Sequence, residues 1–423
     1  DLKRLVCAGL KKAGLDFDGA QAFVTPRRLA LVVDGLPENT PDISEEKRGP
    51  RADAPEQAVQ GFKGSLPEGT KVETRETEKG EFFFAQVEQK GRVTIDILPN
   101  ILQIAIVGLP WQKSMRWGHS KFRWVRPLQA ILAVFDGQKL FGEVTISTKL
   151  VEGGTDTWKA MNSAITQGFE NLTYGHRFLS SGPIVVTDFA DYKAKLEKAH
   201  VILDAAERRA LIKAEAEKLA KAVKLQLHDD PVLLDEVAGL VEWPVAHMGA
   251  IDEAFMDLPD EVLTTSMRKH QKYFALIDAN GKLAPHFIVV ANTETSDKGK
   301  AVIAGNERVL RARLADAKFF WDLDQKERLA GRVPALGGRV FHAQLGTVLD
   351  KVCRVEELAD ALADACGTNG GDAERAAHLA KADLSTGMVT EFPDLQGVMG
   401  CYYALADGEK PEVANAIAEH YSP

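Results

Sequence analysis

Apolar residues recur at helical spacing in several stretches of the chain. The opening helix is predicted from Leu2, Leu5, Val6 and Leu10. A buried helix is predicted over 95–107, where an apolar run ends at Gly108. The clearest helix is predicted to begin after Asp204, which can cap it, with Glu207 three residues later as in a capping box. Its apolar stripe consists of Ile212, Ala216, Leu219 and Val223.

Short apolar runs bounded by turn residues predict strands. Turns at Asp136–Gly137 and Asn280–Gly281 each separate two such runs, which is typical of a hairpin. The predicted strands are 29–33, 82–88, 130–135, 143–150, 273–277 and 287–291. Residues 36–70 are rich in proline, glycine and charge, and are therefore predicted as loop.

Towards the end of the chain the pattern becomes helical. One apolar stripe consists of Val352, Val355, Ala359 and Leu362. That helix is predicted to end near Gly367, and Asp372 is predicted to cap the next one. The layout indicates a multi-domain α+β protein. Mixed α/β N-terminal and middle domains are predicted over 1–150 and 151–320, followed by an all-α domain over 321–423.

The composition is that of an ordinary folded protein, with 45% hydrophobic and 27% charged residues. No apolar run approaches the roughly 18 residues that span a bilayer, and the opening segment lacks the apolar core of a secretory signal. The 4 cysteines are scattered without a Cys-x-x-Cys pair, which fits a reducing environment. We therefore expect a cytoplasmic protein without a membrane partner. The net charge of −9 argues against indiscriminate coating of nucleic acid, but permits local basic patches.

Three basic segments stand out in this acidic chain: 111–127, 266–274 and 306–320. The first, WQKSMRWGHSKFRWVRP, interleaves cations with aromatic rings. Cations neutralise phosphates and flat rings stack on unpaired bases, so one interpretation is an RNA-facing surface. The residues predicted to position RNA are Arg116, Arg126, Arg268, Lys269, Lys272, Arg308 and Arg311. The alternative is structural: the rings belong to the core, and the cations pair with carboxylates or line a solvated helix face.

Candidate catalytic and metal-binding groups are sparse. The predicted all-α domain over 321–423 carries His342, His378, Asp383 and Asp394. An HD-type phosphohydrolase needs an adjacent His-Asp pair to hold its metal, and the only one, His228–Asp229, lies outside the helical region. The basic turn Gly175–Phe178 holds a histidine that is expected to be structural. The sequence contains no phosphate-binding loop, dinucleotide fingerprint or nucleophile elbow. We therefore predict no catalytic residue and no metal site in this chain.

A series of short motifs runs along essentially the whole chain. They are TPRRLA (25–30), RGP (48–50), MRWG (115–118), VRP (125–127), GHRF (175–178), EVAGLVEWP (236–244), LP (258–259), MRKHQKYF (267–274), GNERVL (305–310), ADAKFFW (315–321), KADL (381–384) and EFPDLQG (391–397). In this order they resemble the beta subunit of bacterial heterotetrameric glycyl-tRNA synthetase. Each motif alone is weakly specific, whereas the ordered set is highly specific. The segment between Arg51 and Phe62 is shorter than the family pattern.

The resemblance implies a fold and a role. The family's beta subunit combines a mixed α/β front part, similar in places to the editing module of phenylalanyl-tRNA synthetase beta subunits, with an HD-like helical domain lacking a full metal-ligand set. The rest of that helical domain and an anticodon-binding domain are expected beyond Pro423. The resemblance also implies an α2β2 enzyme whose alpha subunit binds glycine, ATP and Mg²⁺. This chain, with no cofactor of its own, would bind tRNA(Gly) and dock on the alpha subunit.

Two other functions remain open from the residues alone. One is an HD-type metal-dependent phosphohydrolase that acts on nucleotides or RNA, which predicts bound metal. The other is a catalytically silent scaffold that contacts only protein, which predicts no salt-sensitive binding of tRNA.

Overall fold

The computed structural model describes residues 1–67, 69–77, 80–116, 123–146 and 165–422. The chain forms two compact units, Asp1–Ala205 and Ala206–Pro423. Both contain helices and small sheets, so the predicted α+β class is confirmed. Among the described residues, no helix is both long enough and apolar enough to cross a membrane. The predicted three-part division of the chain stays a prediction.

The first unit is built from helices and short strands. Its helices are α1 (Leu2–Lys12), α2 (Glu56–Gly64), α3 (Thr94–Val107) and α4 (Phe189–Lys198). Its strands are β1 (Gly19–Val24), β2 (Leu29–Asp34), β3 (Ile43–Arg51), β4 (Val72–Thr77), β5 (Gly80–Gln89), β6 (Met115–Arg116), β7 (Arg123–Trp124), β8 (Ile131–Leu132), β9 (Val134–Phe135), β10 (Gln138–Lys139), β11 (Glu143–Ile146), β12 (Ile165–Glu170), β13 (Leu172–Tyr174) and β14 (Pro183–Val185).

A core of the first unit forms where α1 and α3 pack together. The amphipathic face of α1 buries Val6 and Leu10, as its spacing predicts, and α3 buries Ile101 in the same cluster. A β-carbon on Gly9 would lie 2.6 Å from Ile101 Cγ2, so the helices approach this closely only because that position lacks a side chain. Phe169 of β12 belongs to the same core.

The second unit is built from longer helices and one larger sheet. Its helices are α5 (Ala205–Ala222), α6 (Pro231–Ala238), α7 (Asp260–Thr265), α8 (Lys300–Asp324), α9 (Val348–Cys366), α10 (Gly370–Leu379), α11 (Gly387–Glu391), α12 (Val398–Ala406) and α13 (Pro411–Glu419), with 3₁₀ turns at Glu253–Phe255, Leu329–Gly338, Ala382–Ser385 and Pro393–Leu395. Its strands are β15 (Gln226–Leu227), β16 (Val245–Ala250), β17 (Phe274–Ile277), β18 (Leu283–Ala291), β19 (Val340–His342) and β20 (Gly346–Thr347).

The sheet of the second unit has strand order β15-β17-β18-β16, and each pairing is antiparallel. Side chains alternate along β18, because successive residues of a strand point to opposite faces. Phe287 joins the larger core with α7 and α8, whereas Ala284 and Ile288 join a smaller core with α5 and α6. The larger core also includes the helices from α9 onward. The predicted hairpin around Asn280–Gly281 is confirmed as β17 and β18.

The predicted loop over 36–70 is wrong, because β3 and α2 form within it. β3 carries mostly exposed polar side chains, so its sequence lacks the alternation that marks a half-buried strand. Its partner β5 holds it in place through antiparallel backbone pairing, with Lys47 opposite Ala85. A strand stabilised by its neighbour rather than by its own apolar face is invisible to a pattern search.

The predicted hairpin over 130–150 is only partly right. The turn at Asp136–Gly137 exists, and both residues have positive φ (46° and 74°), as tight hairpins require. It joins only the two-residue strands β9 and β10. β11 pairs instead with β12, which also pairs in parallel with β8. Residues 147–150 of the predicted strand lie outside the described residues.

Two predicted helical stripes are shifted on their helices. On α5, Ile212 and Ala216 are buried as predicted, but the helix ends at Ala222 and Val223, just beyond it, is 38% exposed. On α9, Val355 and Leu362 are 39% and 59% exposed, although Val352 is buried as predicted. Both helices exist where the periodicity places them. The neighbouring elements decide which side of each helix finds a core.

The ends of α9 and α10 show one confirmed and one wrong prediction. α9 ends at Gly367, which adopts φ +67° in the left-handed region that favours glycine. The cap of α10 is Asn369 rather than Asp372, because the Asn369 side chain accepts a hydrogen bond from the Asp372 N–H at 3.4 Å.

Candidate nucleic-acid interface

The segment between α7 and β17 has an unusual backbone. Ser266–Gln271 forms a π-helical turn, and Lys272 follows it with φ +60° in the left-handed region. Met267 and Tyr273 anchor the segment in the larger core of the second unit, with 0% and 2% of their surface exposed. Single π-helical turns are rare and frequently occur at functional sites. This turn carries the predicted Arg268 and Lys269 on its outer side, where both side chains remain partly exposed.

Arg268 makes a bidentate contact with Asp230, which caps α6 by accepting a hydrogen bond from the Leu233 N–H at 2.9 Å. Nε donates to one carboxylate oxygen, and Nη2 donates to the other at 3.4 Å. Burial acts to raise the pKa of Asp230, but hydrogen bonds from Arg268 and Leu233 outweigh it and hold that pKa below its usual range. The hydrogen bond to Asp230 in turn raises the pKa of Arg268. The pair is therefore charged at neutral pH.

The two lysines of this segment are also paired. Lys269 Nζ lies 2.6 Å from Asp394 Oδ2, and Lys272 Nζ lies 2.8 Å from Glu236 Oε1. All four side chains are substantially exposed, and exposed ion pairs of this kind contribute about 0–1 kcal/mol. The structural alternative, pairing with carboxylates, thus holds for each predicted cation of this segment. Because the pairs are weak, a phosphate can still compete for these lysines.

The predicted arginines of α8 differ from each other. Arg311 donates to Asp252 through Nε at 2.6 Å and through Nη2 at 3.1 Å, and these hydrogen bonds lower the pKa of Asp252. Arg308, one turn earlier, is exposed and forms no ion pair with any residue that the structure describes. α8 passes next to the π-helical turn, since the Tyr273 hydroxyl donates to Asn306 Oδ1 at 2.5 Å. The predicted cations of the second unit therefore lie on two adjoining elements.

The first unit holds the other predicted residues. Arg116 on β6 lies opposite Arg123 on β7, and both side chains are exposed. Like charges in directly opposed positions repel, and a bound phosphate would relieve that repulsion. Trp124 is buried and packs edge-on against Trp111 with ring centroids 5.0 Å apart, so these two rings belong to the core. Lys113 of this basic segment is also exposed, whereas Trp117, His119, Lys121 and Phe122 lie outside the described residues.

Arg126 lies beside the turn that joins β1 to β2. Its Nη1 donates to the Pro26 carbonyl at 3.5 Å. Thr25 shapes that turn, because its hydroxyl oxygen accepts hydrogen bonds from the Arg27 and Arg28 N–H groups at 3.2 and 3.1 Å. Arg27 and Arg126 are exposed, and neither pairs with a carboxylate among the described residues.

The same turn is tied to the loop after β13. Arg28 donates to the Tyr174 carbonyl at 2.9 Å and to the Gly175 carbonyl at 3.3 Å. In that loop the Arg177 guanidinium stacks over the Phe178 ring, 4.6 Å from its centroid, and 71% of Phe178 is exposed. We call the set formed by Arg27, Arg28, Arg126, Arg177 and Phe178 the arginine surface.

The loop that carries Arg177 is held rigidly. His176 is fully buried, and its Nδ1 accepts hydrogen bonds from the Phe178 and Leu179 N–H groups, each at 3.3 Å. A β-carbon on Gly175 would lie 2.5 Å from the Ala199 side chain, so glycine permits the close approach. His176 is therefore structural, as the sequence predicts.

The sequence did not single out Arg27, Arg177 or Phe178 as contacts. Their local signals are a doubled arginine in a Thr-Pro-Arg-Arg turn and an Arg-Phe pair in a second turn. The hydrogen bond that joins the two turns spans 146 positions of sequence, and no local pattern reveals such a contact.

The histidines and aspartates that the sequence offers as candidate metal ligands each make separate contacts. His378 Nδ1 lies 2.5 Å from Glu356 Oε1, and Asp394 pairs with Lys269. Asp383 Oδ2 accepts hydrogen bonds from backbone N–H groups. Within the part of the chain that the structure describes, no three His, Cys, Asp or Glu side chains converge as metal ligands.

Comparison with known proteins identifies the family to which this chain belongs. A family model described as glycyl-tRNA synthetase beta subunit matches residues 1–423. The chain therefore belongs to the glycyl-tRNA synthetase beta subunit family, as the ordered motifs predict. This membership favours the synthetase interpretation over the HD-type phosphohydrolase.

Individual relatives carry the same description. The chain is 53% identical to the glycine–tRNA ligase beta subunit of Rhodospirillum centenum over its full length, and covers 60% of that protein. It is 46% identical to the corresponding subunit of Dinoroseobacter shibae and covers 57% of it. For Phenylobacterium zucineum the values are 47% and 60%. The chain thus spans somewhat more than half the length of these curated relatives.

Proposed function

We propose that this chain serves in a glycine–tRNA ligase, where it positions tRNA(Gly) and docks on a catalytic alpha subunit. Membership of the beta subunit family supports the assignment to this enzyme. The arginine surface supports the contact with RNA and is the observation on which the proposal depends. Phosphate contacts supply most of the affinity of such interfaces and fix the orientation of the nucleic acid.

The arginine surface has the chemistry of a phosphate-binding site. Arg27, Arg126 and Arg177 are exposed without a carboxylate partner among the described residues, in a chain whose net charge is −9. Phe178 offers an exposed ring edge and a guanidinium-stacked face, which suit an unpaired base or a ribose. Because Thr25 and His176 fix the two turns through their hydrogen bonds, little conformational entropy is lost when RNA binds.

The cations of the second unit supply further phosphate contacts in the proposal. Arg308 can contact a phosphate directly, because it has no ion pair to break with any described residue. Arg268, Lys269 and Lys272 can do so by exchanging a carboxylate for a phosphate oxygen. Arg311 would exchange in the same way, and Arg116 would contact phosphate together with the arginine opposite it.

The remaining parts of the proposal follow from the family. We place the enzyme in the cytoplasm as an α2β2 assembly, with the ATP, Mg²⁺ and glycine sites on the alpha subunit. We assign residues 321–423 to an HD-like domain and residues 151–320 to a middle domain that is in part editing-like. The run of helices from α9 to α13, Val348 to Glu419, supports the first of these assignments.

The test is the salt dependence of tRNA(Gly) binding to the full-length protein. A variant with Arg27→Gln, Arg126→Gln and Arg177→Gln removes three cations of the arginine surface. Each lost phosphate contact reduces the magnitude of the negative slope of log K, where K is the association constant, against log salt by about 0.7–0.9. For three lost contacts we therefore expect the magnitude of the slope to be smaller by about 2 to 3. The matched control replaces Lys3, Lys11 and Lys12 of α1 by glutamine, which removes the same charge from exposed positions of the same unit.

An equal loss of slope in both triple variants would show that only net charge matters, and the arginine surface would be rejected. A wild-type protein without salt-sensitive binding would favour the silent scaffold. Charge reversal at Arg268 and Lys269 tests the second unit in the same assay. Unchanged affinity and slope with an intact fold would remove those residues from the interface.

Assembly is tested by light scattering on a sizing column after mixing with the cognate alpha subunit. A stable mixed complex is expected. Separate elution of the full-length chain and the alpha subunit would refute the docking part of the proposal.

A further inference from the structure

The helical part of the second unit contains a cavity of about 360 Å³ between α9, α10 and α13. Its wall is apolar, formed by valine and alanine side chains that include Val352, Ala377 and Ala416. Its polar lining comes from Lys351, Lys381 and His420. A cavity of this size lies at the small end of pockets that hold ligands.

The hydrogen bonds around Lys381 fix the charge state of the histidine. Lys381 Nζ lies 2.6 Å from His420 Nε2, and His420 Nδ1 lies 2.6 Å from the Ile417 carbonyl. A carbonyl only accepts, so Nδ1 carries the proton and Nε2 accepts from the ammonium. Burial, reinforced by the two lysines, lowers the pKa of His420 and keeps it neutral. Lys381 also lies over the Tyr421 ring, 3.5 Å from its centroid.

The described lining of the cavity therefore includes two cations and no carboxylate. Lys351 lies over the Phe341 ring at 4.5 Å, and among the described residues neither lysine forms an ion pair with a carboxylate. Burial and, after it, the charge of Lys351 lower the pKa of Lys381 to about 8, although Asp383 acts in the opposite direction. Two ammonium groups facing an apolar cavity are costly unless an anion joins them.

We propose that this cavity binds a small phosphate monoester, with the phosphate between Lys351 and Lys381 and a flat or apolar body against the valine and alanine wall. A dianion matches two ammonium groups, whereas a monocarboxylate would match one. The wall offers no hydrogen-bonding side chain beyond these lysines and His420 among the described residues, so the body of the ligand should pack against it through a flat or apolar surface rather than through hydrogen bonds. The site is separate from the arginine surface and does not depend on it.

The volume favours a free metabolite or mononucleotide over a polymer. The terminal phosphate of an RNA carries the same chemistry, but its neighbouring nucleotides would need space beyond the about 360 Å³ of this cavity. The test therefore includes both sources of the phosphate.

The experiment uses pyridoxal 5′-phosphate as a probe on the full-length protein. The Lys381 amine adds to the aldehyde carbon, a C=N bond forms and water leaves. Borohydride then delivers hydride to the imine carbon and fixes the adduct for peptide mapping. We expect Lys381 to be labelled first, and pyridoxal, which lacks the phosphate, to label it about tenfold more slowly.

Two variants and two competitors complete the test. Lys351→Gln should slow labelling of Lys381 by about tenfold, while Lys410→Gln, which removes an exposed lysine paired with Asp372, should leave it unchanged. Matching melting curves for the variants and the parent show that each is folded. AMP should protect Lys381 at lower concentration than a 5′-phosphorylated RNA oligonucleotide.

Equal labelling by pyridoxal and its phosphate would overturn the proposal. Protection by the RNA end but not by AMP would overturn the assignment to a small ligand. A Lys351→Gln variant that folds normally and is labelled at the parental rate would show that the phosphate does not lie between the two lysines.

Discussion

Asp324, at the end of α8, joins three elements of the helical region although only 4% of its surface is exposed. Its Oδ1 accepts a hydrogen bond from the Gly387 N–H at 3.0 Å, and its Oδ2 accepts from the Met388 N–H at 2.9 Å and the Tyr403 hydroxyl at 3.1 Å. Arg332 Nη2 lies 3.5 Å from Oδ1, and the arginine side chain is itself only 13% exposed. The carboxylate thus caps α11 and compensates a buried cation.

Replacing this carboxylate should be strongly destabilising. Asp324→Ala leaves two N–H groups without an acceptor and leaves the Arg332 guanidinium with only the exposed carboxylate of Glu327, 3.6 Å away, so we expect a loss of about 3–5 kcal/mol in the free energy of unfolding. Burial raises the pKa of Tyr403, so its hydroxyl stays protonated and also loses its acceptor. Asp324→Asn keeps one acceptor oxygen but not the charge, and should cost about 1–3 kcal/mol.

Urea unfolding of the full-length protein, followed by tryptophan fluorescence, measures this loss. Trp321 is a suitable reporter because its ring stacks on Tyr403 at 5.4 Å. The control is Asp322→Ala, since Asp322 lies on the same helix but is exposed and paired with Lys318 at 2.7 Å. It should cost no more than about 1 kcal/mol. If Asp324→Ala and Asp322→Ala unfold within about 1 kcal/mol of each other at unchanged m-value, the reasoning about the buried cap is refuted.

Two further predictions concern packing and pH. Gly9→Ala should cost about 1–3 kcal/mol, because the new methyl group would lie 2.6 Å from Ile101 Cγ2. Gly61→Ala, in a helix with no atom within 4 Å of the new methyl group, should be neutral or stabilising, and thermal melts that rank the two the other way would contradict the packing argument. Burial raises the pKa of Asp383 from 3.8 to about 6, so the folded state holds its proton more tightly than the unfolded state. The protonated Asp383 side chain therefore stabilises the fold below about pH 4, and this stabilisation falls by about 3 kcal/mol as the pH rises through 6. The free energy of unfolding of the parent and of Asp383→Asn, measured over that pH range, checks this. Parallel curves for the two proteins would disprove the prediction.

The candidate site was partly predictable. The sequence pointed to Arg116, Arg126 and Arg308 as cations, and the structure leaves all three exposed. It could not show that Arg268 and Arg311 face carboxylates, because Asp230 and Asp252 are distant in sequence. The partner of a long side chain depends on tertiary contacts rather than on local pattern.

The arginine surface could not be predicted from the sequence, for a related reason. Arg27 and Arg177 belong to separate turns, and each turn alone resembles an ordinary polar loop. Hydrogen bonds from Arg28 to the backbone of the second turn bring them together. The cavity with Lys351 and Lys381 is likewise formed where three helices meet, and no local pattern predicts that meeting.

The features that could be predicted from the sequence are those encoded by residues close together in the chain. Helical periodicity defined α1, α3, α5 and α9, the Asn280–Gly281 turn defined the hairpin of β17 and β18, and the ordered motifs defined the family, because these signals need only neighbouring residues. The tertiary structure alone decided that the polar β3 is a strand, that β11 pairs with β12, and which face of α9 is buried. The physical reason is that backbone pairing and burial are set by partners far along the chain, and these partners compensate for a weak or ambiguous local pattern.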